Sequence, residues 1–388
     1  MKNKVKRIVC LFFALSFILS FCIGGTILLS QNTISVANAS SFVQTSAKAM
    51  CVIEGNSNRV LYQKNKDSQL PMASTTKIMT AITAIESCED LDEVFEISPK
   101  AVGISGTSLY LRKGERMSIR DLLYGLMLVS GNDASVAIGE HVAGSTKKFV
   151  DLMNHKARKI GAVNSHFDNT HGLDSPTHYT SAYDLALITN YALKNPIFKE
   201  IVSTKNIKIT NEAGKTRYLK NKNKLLSSLD CCIGVKTGFT NDAGRCLVSA
   251  CERKGMTLVC VVLNCVPMFE ESRGLLEQGY SEYKLVDLAE GYKFPTEIDV
   301  SNGRRESVRI ETKENHVYYP LREDEQNMVN YVYDVEKSLE APVEKGREVG
   351  VVKIFINNDL HFEEKIYTIE NVRRNSVWEK LKDLLNNW

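Results

Sequence analysis

The stretch PMASTTKIMTAITAIE, Pro71 to Glu86, sets three hydroxyls (Ser74, Thr75 and Thr76) and one cation, Lys77, at the head of an otherwise apolar segment. Wound at 3.6 residues per turn, Ile78, Ala81, Ile82 and Ile85 share a face, and Ser74 and Lys77 fall in line with it. The lysine is therefore expected to point inward. A lone ammonium inside a protein is costly, so the amine should lose its proton far more easily than at its usual pKa of about 10.4. A neutral amine is a base. Ser74 stands one turn before it, where the helix start offers unpaired N–H groups and the positive end of the dipole. Together these outline an activated nucleophile. Taken alone, Ser-x-x-Lys also fits a lysine that snorkels outward beside a capping hydroxyl, so the pattern needs partners elsewhere in the chain.

The 388 residues are enough for two domains. The net charge of +3 conceals a split, because Lys2, Lys4, Lys6 and Arg7 precede the run IVCLFFALSFILSFCIGGTILL and no acidic residue occurs before Glu54. A basic head, a long apolar run and SVANAS, with Ala37 and Ala39 at the small-residue positions, read as an export signal, residues 1–39, cut after Ala39. The apolar run is also long enough to span a bilayer as an uncleaved anchor, and either way the remainder acts outside the cytoplasm, at the membrane face or cell wall. That remainder carries 45 basic and 46 acidic side chains with no basic cluster, which argues against nucleic acid as a partner. Seven histidines show no metal-ligand spacing, so no metal and no cofactor are expected. The eight cysteines after the signal sit mostly inside apolar strand-like runs, where cysteine serves as a small buried hydrophobe rather than a disulfide partner.

AMCVIE and NRVLYQ flank GNSN as a hairpin leading into the helix that Ser74 opens. From about Arg120 to Asn195 the period is helical. CIGVKTGFT, GRCLVSACER and MTLVCVVLN then read as antiparallel neighbours, and FEESRGLLEQGYSEYKLVDL as a closing helix. Strands, helices, then strands of the same sheet imply one α+β domain, residues 40–290, with a cleft where sheet and helical block meet. Alternating strands over residues 295–371 predict a small all-β domain that acts as a packing or spacer module. SVWEKLKDLLNNW, residues 376–388, is expected to be an amphipathic helix, with Trp378, Leu381, Leu384, Leu385 and Trp388 on one face to lie in a membrane surface.

Two further motifs supply partners for the first. LVSGNDAS places Ser130 and Asn132 in a polar turn after an apolar helix, and GVKTGFT places Lys236, Thr237 and Gly238 on a strand whose glycine admits a substrate backbone. Ser-x-x-Lys, a Ser-x-Asn turn and Lys-Thr-Gly occur together in penicillin-recognising serine enzymes. With PMASTTKIMTA, TSLYLRKGERMSIRDLLYGLMLVSGNDASVAIGEHVAG, HGLD, HYTSAYDLALI and KTGFTNDAGRCLVSA, the chain resembles the low-molecular-weight penicillin-binding proteins, the serine D-alanyl-D-alanine carboxypeptidases of peptidase family S11. The resemblance implies a DD-peptidase/β-lactamase-like domain followed by a β-sandwich-like one, and removal of the terminal D-Ala from peptidoglycan stem peptides, with β-lactams as covalent inhibitors. It implies Ser74 as nucleophile, Lys77 as its base and Ser130 as proton relay to the leaving amine. Asn132, Lys236, Thr237 and Gly238 would bind substrate, with the N–H groups of Ser74 and Phe239 as oxyanion hole.

Two other functions use the same residues. A β-lactamase needs a route to rapid deacylation, for which class A enzymes use a glutamate and a water. NSHFDNTHGLDSPTHYTS contains Asp168 and Asp174 but no glutamate. A non-catalytic module would capture peptidoglycan ends without turnover.

Overall fold

The computed structural model describes residues 41–42 and 44–376. The expected export signal over residues 1–39 and all but the first residue of the helix expected over 376–388 lie outside them. Among the described residues no helix is long and apolar enough to cross a membrane.

The first domain is built on a six-stranded sheet of β1 (Ser41–Phe42), β2 (Ala49–Glu54), β3 (Val60–Lys64), β8 (Cys232–Thr240), β9 (Gly244–Arg253) and β10 (Met256–Leu263), in the order β1-β3-β2-β10-β9-β8. All neighbours are antiparallel except β1 and β3. The expected hairpin is β2–β3. Its turn is closed by Glu54, whose buried carboxylate accepts from the N–H groups of Asn56 and Ser57 and from the Ser57 hydroxyl. Because strand side chains alternate, Ala49, Cys51 and Ile53 enter one core and Met50 and Val52 the other. A sheet covered on both faces explains why these strands are continuously apolar.

The helical block covers the first face. It comprises α1 (Lys77–Ser87), α2 (Ile119–Tyr124), α3 (Asn132–Ala143), α4 (Thr146–Ile160), α5 (Ala182–Leu193) and α6 (Pro196–Ser203), with the small pairs β4 (Val94–Glu96) with β5 (Arg116–Ser118) and β6 (Asn206–Thr210) with β7 (Thr216–Lys220) at its margin. The short α7 (Leu225–Ser228) leads back into the sheet, and α8 (Met268–Glu282) covers the second face. Helix α1 departs from the amphipathic expectation. Lys77 to Ile85 are all buried, Thr80 and Thr83 included, because the helix runs through the centre of the block. The threonines are satisfied within it: the Thr80 hydroxyl donates to the Thr170 carbonyl at 2.8 Å.

The closing helix is shorter than its sequence suggests. It stops at Glu282, and Lys284–Asp287 forms β11, paired with β14 (Tyr318–Leu321). Beyond it, β12 (Glu297–Ser301), β13 (Ser307–Thr312), β15 (Val329–Val335), β16 (Ser338–Glu340), β17 (Glu348–Ile356) and β18 (Asp359–Thr368) form a second six-stranded sheet with its own core, as the alternation predicts. The eight cysteines of the described residues are all free thiols, five of them buried.

The two domains are joined by a buried ion pair. Arg59, in the β2–β3 turn, reaches the Glu325 carboxylate and the Pro320 carbonyl of the β domain, with its guanidinium 5.3 and 5.1 Å from the ring centres of Tyr283 and Tyr319. Removing one partner of such a pair leaves a buried charge uncompensated. Glu325→Leu is therefore expected to destabilise the protein by about 3 kcal/mol in urea unfolding. A loss below about 1 kcal/mol, the value of an exposed pair, would contradict that assignment.

Candidate active site

Ser74 does not open the α-helix itself. It sits in a single 3₁₀ turn, Ala73–Thr76, and α1 begins at Lys77. Ala73, immediately before it, has φ +49°, a left-handed conformation that costs a residue with a Cβ roughly 1–3 kcal/mol. The Thr75 hydroxyl donates to the Met72 carbonyl at 2.6 Å and the Thr76 hydroxyl to the Ala73 carbonyl at 2.8 Å, so the hydroxyls beside Ser74 brace this turn. Ser74 is left partly exposed on the floor of a cleft of about 330 Å³, shared with Thr107, Ser130, Lys222, Lys224, Thr237, Gly238, Phe239, Arg245, Met268 and Phe269.

Lys77 points inward, as the pattern predicts, and is fully buried. Its Nζ lies 3.0 Å from Ser74 Oγ, 2.8 Å from Asn132 Oδ1 and 2.5 Å from the His171 carbonyl oxygen. Its pKa is driven well below that of an ordinary lysine by desolvation, then by the positive charges of Lys236 and Lys222, against which Asp133 acts in the opposite sense. In its neutral form the amine would donate its two N–H bonds to the two carbonyl oxygens and turn its lone pair to the Ser74 hydroxyl.

Asn132 is the first residue of α3. Its side-chain oxygen faces Lys77 while Nδ2 donates to the Ser105 carbonyl at 2.6 Å, which sets the amide's orientation. Ser130 precedes it with φ +71°, at the exit of the π-turn Gly125–Val129, and is buried at the cleft wall. Lys236 is buried, donates to the Thr237 carbonyl at 2.8 Å, and has its pKa pulled down to about 7, first by burial and then by Lys222. Gly238 gives the strand a close approach: a Cβ there would lie 3.0 Å from the Met72 carbonyl and 3.2 Å from the Ser74 nitrogen, tight enough to push the nucleophile turn by a few tenths of an ångström. Phe239 stands exposed at the mouth of the cleft.

All eight sequence-predicted residues thus converge on one place, but four contributors escaped notice. The Lys77 acceptor in HGLD is a backbone carbonyl, that of His171, whose imidazole is held neutral with a pKa lowered to about 4, chiefly by burial. Gly172, φ +90°, is the one residue type that fits against the nucleophile turn, because a Cβ would overlap the Ala73 carbonyl. Asp133, buried beside Asn132, accepts from the N–H groups of Leu109 and Leu111 and from the Ser108 hydroxyl, and so fixes the loop that walls the cleft at Thr107. The fourth, Asn169, accepts the N–H groups of His171 and Gly172. An acidic residue in the first turn of a helix and a glycine inside a polar loop were the available signals.

Neither candidate carboxylate serves the cleft. Asp168 accepts from Ser175 and Thr177 and Asp174 from Thr240, and the cleft is lined by no acidic residue.

Comparison with known proteins agrees with this arrangement. The family model for D-alanyl-D-alanine carboxypeptidase (Peptidase_S11) matches residues 33–266, and that for the penicillin-binding protein 5 C-terminal domain matches residues 283–374. The chain is 28% identical over 349 residues to the D-alanyl-D-alanine carboxypeptidase DacF of Bacillus subtilis, covering 88% of this chain and 90% of that one. It is 30% identical over 354 residues to DacD of Escherichia coli, at 87% and 89% coverage. The crystal structure of penicillin-binding protein 5 from Haemophilus influenzae superposes with a TM-score of 0.72 at 27% identity, over 86% of this chain and 99% of that one. A catalytic-domain match over more than half the chain, joined to a β domain of the same lineage, makes this protein a member of the S11 D-alanyl-D-alanine carboxypeptidase family.

Proposed function

We propose that the protein is a serine D-Ala-D-Ala carboxypeptidase that trims peptidoglycan stem peptides through an acyl-enzyme on Ser74. The observation that carries this reading is the buried Lys77 amine, 3.0 Å from Ser74 Oγ, with two carbonyl acceptors for its N–H bonds. Ser74 Oγ attacks the carbonyl of the penultimate D-Ala as Lys77 takes its proton. The oxyanion forms between the Ser74 and Phe239 N–H groups, Asn132 holds the substrate amide, and Ser130 passes a proton to the departing D-Ala amine. Lys236 and Thr237 receive the terminal carboxylate, the group that distinguishes an exopeptidase substrate. Water then releases the shortened peptide.

β-Lactams acylate the same serine, and a cleft without a carboxylate favours a long-lived penicilloyl ester over β-lactamase turnover. The extracytoplasmic site of action follows from the substrate. Export by residues 1–39 and membrane attachment through the terminal segment extend the proposal.

Release of D-Ala from diacetyl-Lys-D-Ala-D-Ala should fall by at least about a thousandfold in Ser74→Ala, and activity that survives this change refutes the serine mechanism. Catalysis should decline as pH falls through the depressed Lys77 pKa, since the protonated amine has no lone pair to offer. Above a pH of about 7, the uncomplexed Lys236 loses its charge, so KM for carboxylate-ended peptides should rise with pH in wild type and stay flat in Lys236→Gln. Deleting Ser376–Trp388 should shift the protein from the membrane to the soluble fraction with soluble-peptide hydrolysis unchanged. Parallel loss of activity would mean that the segment is structural.

A further inference from the structure

Behind the nucleophile turn lies a buried chain of hydrogen bonds that the reaction itself does not use. His178 is 2% exposed and lies edge-on to Phe167, with ring centres 5.9 Å apart. Its Nδ1 accepts the Asp168 backbone N–H at 3.0 Å, so the proton of the neutral ring sits on Nε2. Nε2 lies 2.7 Å from Thr76 Oγ1. The Thr76 hydroxyl has one proton, and that proton goes to the Ala73 carbonyl at 2.8 Å. Every donor and acceptor is therefore assigned in a single direction, from Nε2–H to Thr76 Oγ1 and from Thr76 O–H to Ala73 O. The last acceptor belongs to the residue with φ +49° that immediately precedes Ser74.

A left-handed residue with a Cβ persists only where its surroundings over-determine it. Gly172 packs on the same carbonyl, but it contributes contact and no hydrogen bond. The hydroxyl of Thr76 holds that carbonyl, and His178 holds the hydroxyl. Burial keeps the imidazole neutral, with a pKa lowered to about 4, so its tautomer persists across the working range.

We propose that Thr76 and His178 are positioning residues for the nucleophile: the relay from His178 through Thr76 to the Ala73 carbonyl holds the strained turn that aims Ser74 Oγ at the scissile bond. This rests on Ser74 being the nucleophile, and neither residue touches substrate.

The test uses benzylpenicillin as acylating probe on the full-length protein, with single-turnover kinetics normalised by active-site titration so that a misfolded fraction does not enter the rate. Thr76→Val, nearly isosteric and without the hydroxyl, should slow the acylation rate constant by about 10- to 100-fold while the dissociation constant of the preceding complex stays unchanged. Thr76→Ser should restore the rate to within about threefold of wild type. His178→Leu should match Thr76→Val, and the double variant should be no slower than either, as expected for two parts of one chain. A wild-type acylation rate in Thr76→Val, whatever its melting temperature, overturns the proposal, and so do effects that multiply in the double variant. Mass spectrometry of the labelled peptide separates this outcome from failure of the underlying mechanism: a label away from Ser74 refutes the nucleophile assignment and with it the relay, whereas a label on Ser74 at undiminished rate refutes the relay alone.

Discussion

Everything at the cleft depends on one amine taken out of water, which burial drives toward its uncharged form. The Lys77 nitrogen is surrounded by neutral oxygens from three separate segments, Ser74, Asn132 and the His171 carbonyl. Among the described residues no carboxylate pairs with it, and Lys236 and Lys222 add positive potential. Asp133, the one acid that favours its charged form, is already engaged by backbone N–H groups of the neighbouring loop. A charged ammonium in that position lacks both water and a counter-ion, and this is why its pKa falls well below that of an ordinary lysine. An exposed helix would leave the amine hydrated, whereas α1 runs through the middle of the helical block and buries it.

The reactive groups sit on strained backbone, and the strain is confined to short turns gripped by rigid elements. Ala73 and Ser130 both have positive φ, one beside Ser74 and one at the cleft wall. Both turns adjoin buried structure, the first α1 and the second the π-turn that precedes α3. Strain of this size survives only where packing offers no relaxed alternative. The sheet contributes the opposing wall, since β8 passes the Ser74 nitrogen closely at Gly238.

The β domain stands apart from the chemistry. Its strands carry no nucleophile-and-base cluster, and among its ties to the first domain is the Arg59–Glu325 pair flanked by Tyr283 and Tyr319. A buried, aromatic-flanked ion pair fixes orientation because the charge has one place where it is compensated.

The sequence alone was sufficient for whatever depends on spacing along the chain. Three motifs named side chains that the fold gathers at one cleft, apolar runs located the strands and helices, and alternation located the second sheet, because side-chain direction follows from the helical and strand periods. It overran where periods end: Lys284–Asp287 continues a helical pattern yet pairs as a strand, since a partner edge at Tyr318–Leu321 outweighs local preference. The uniform burial of α1 was equally hidden, because threonines look polar until carbonyls such as that of Thr170 satisfy them. Tertiary structure alone decided the environment of the amine. A backbone carbonyl such as that of His171 has no residue signature, and Asp133 and His178 become meaningful only when distant segments are folded against Lys77 and Thr76, where exclusion of water turns ordinary polar contacts into constraints.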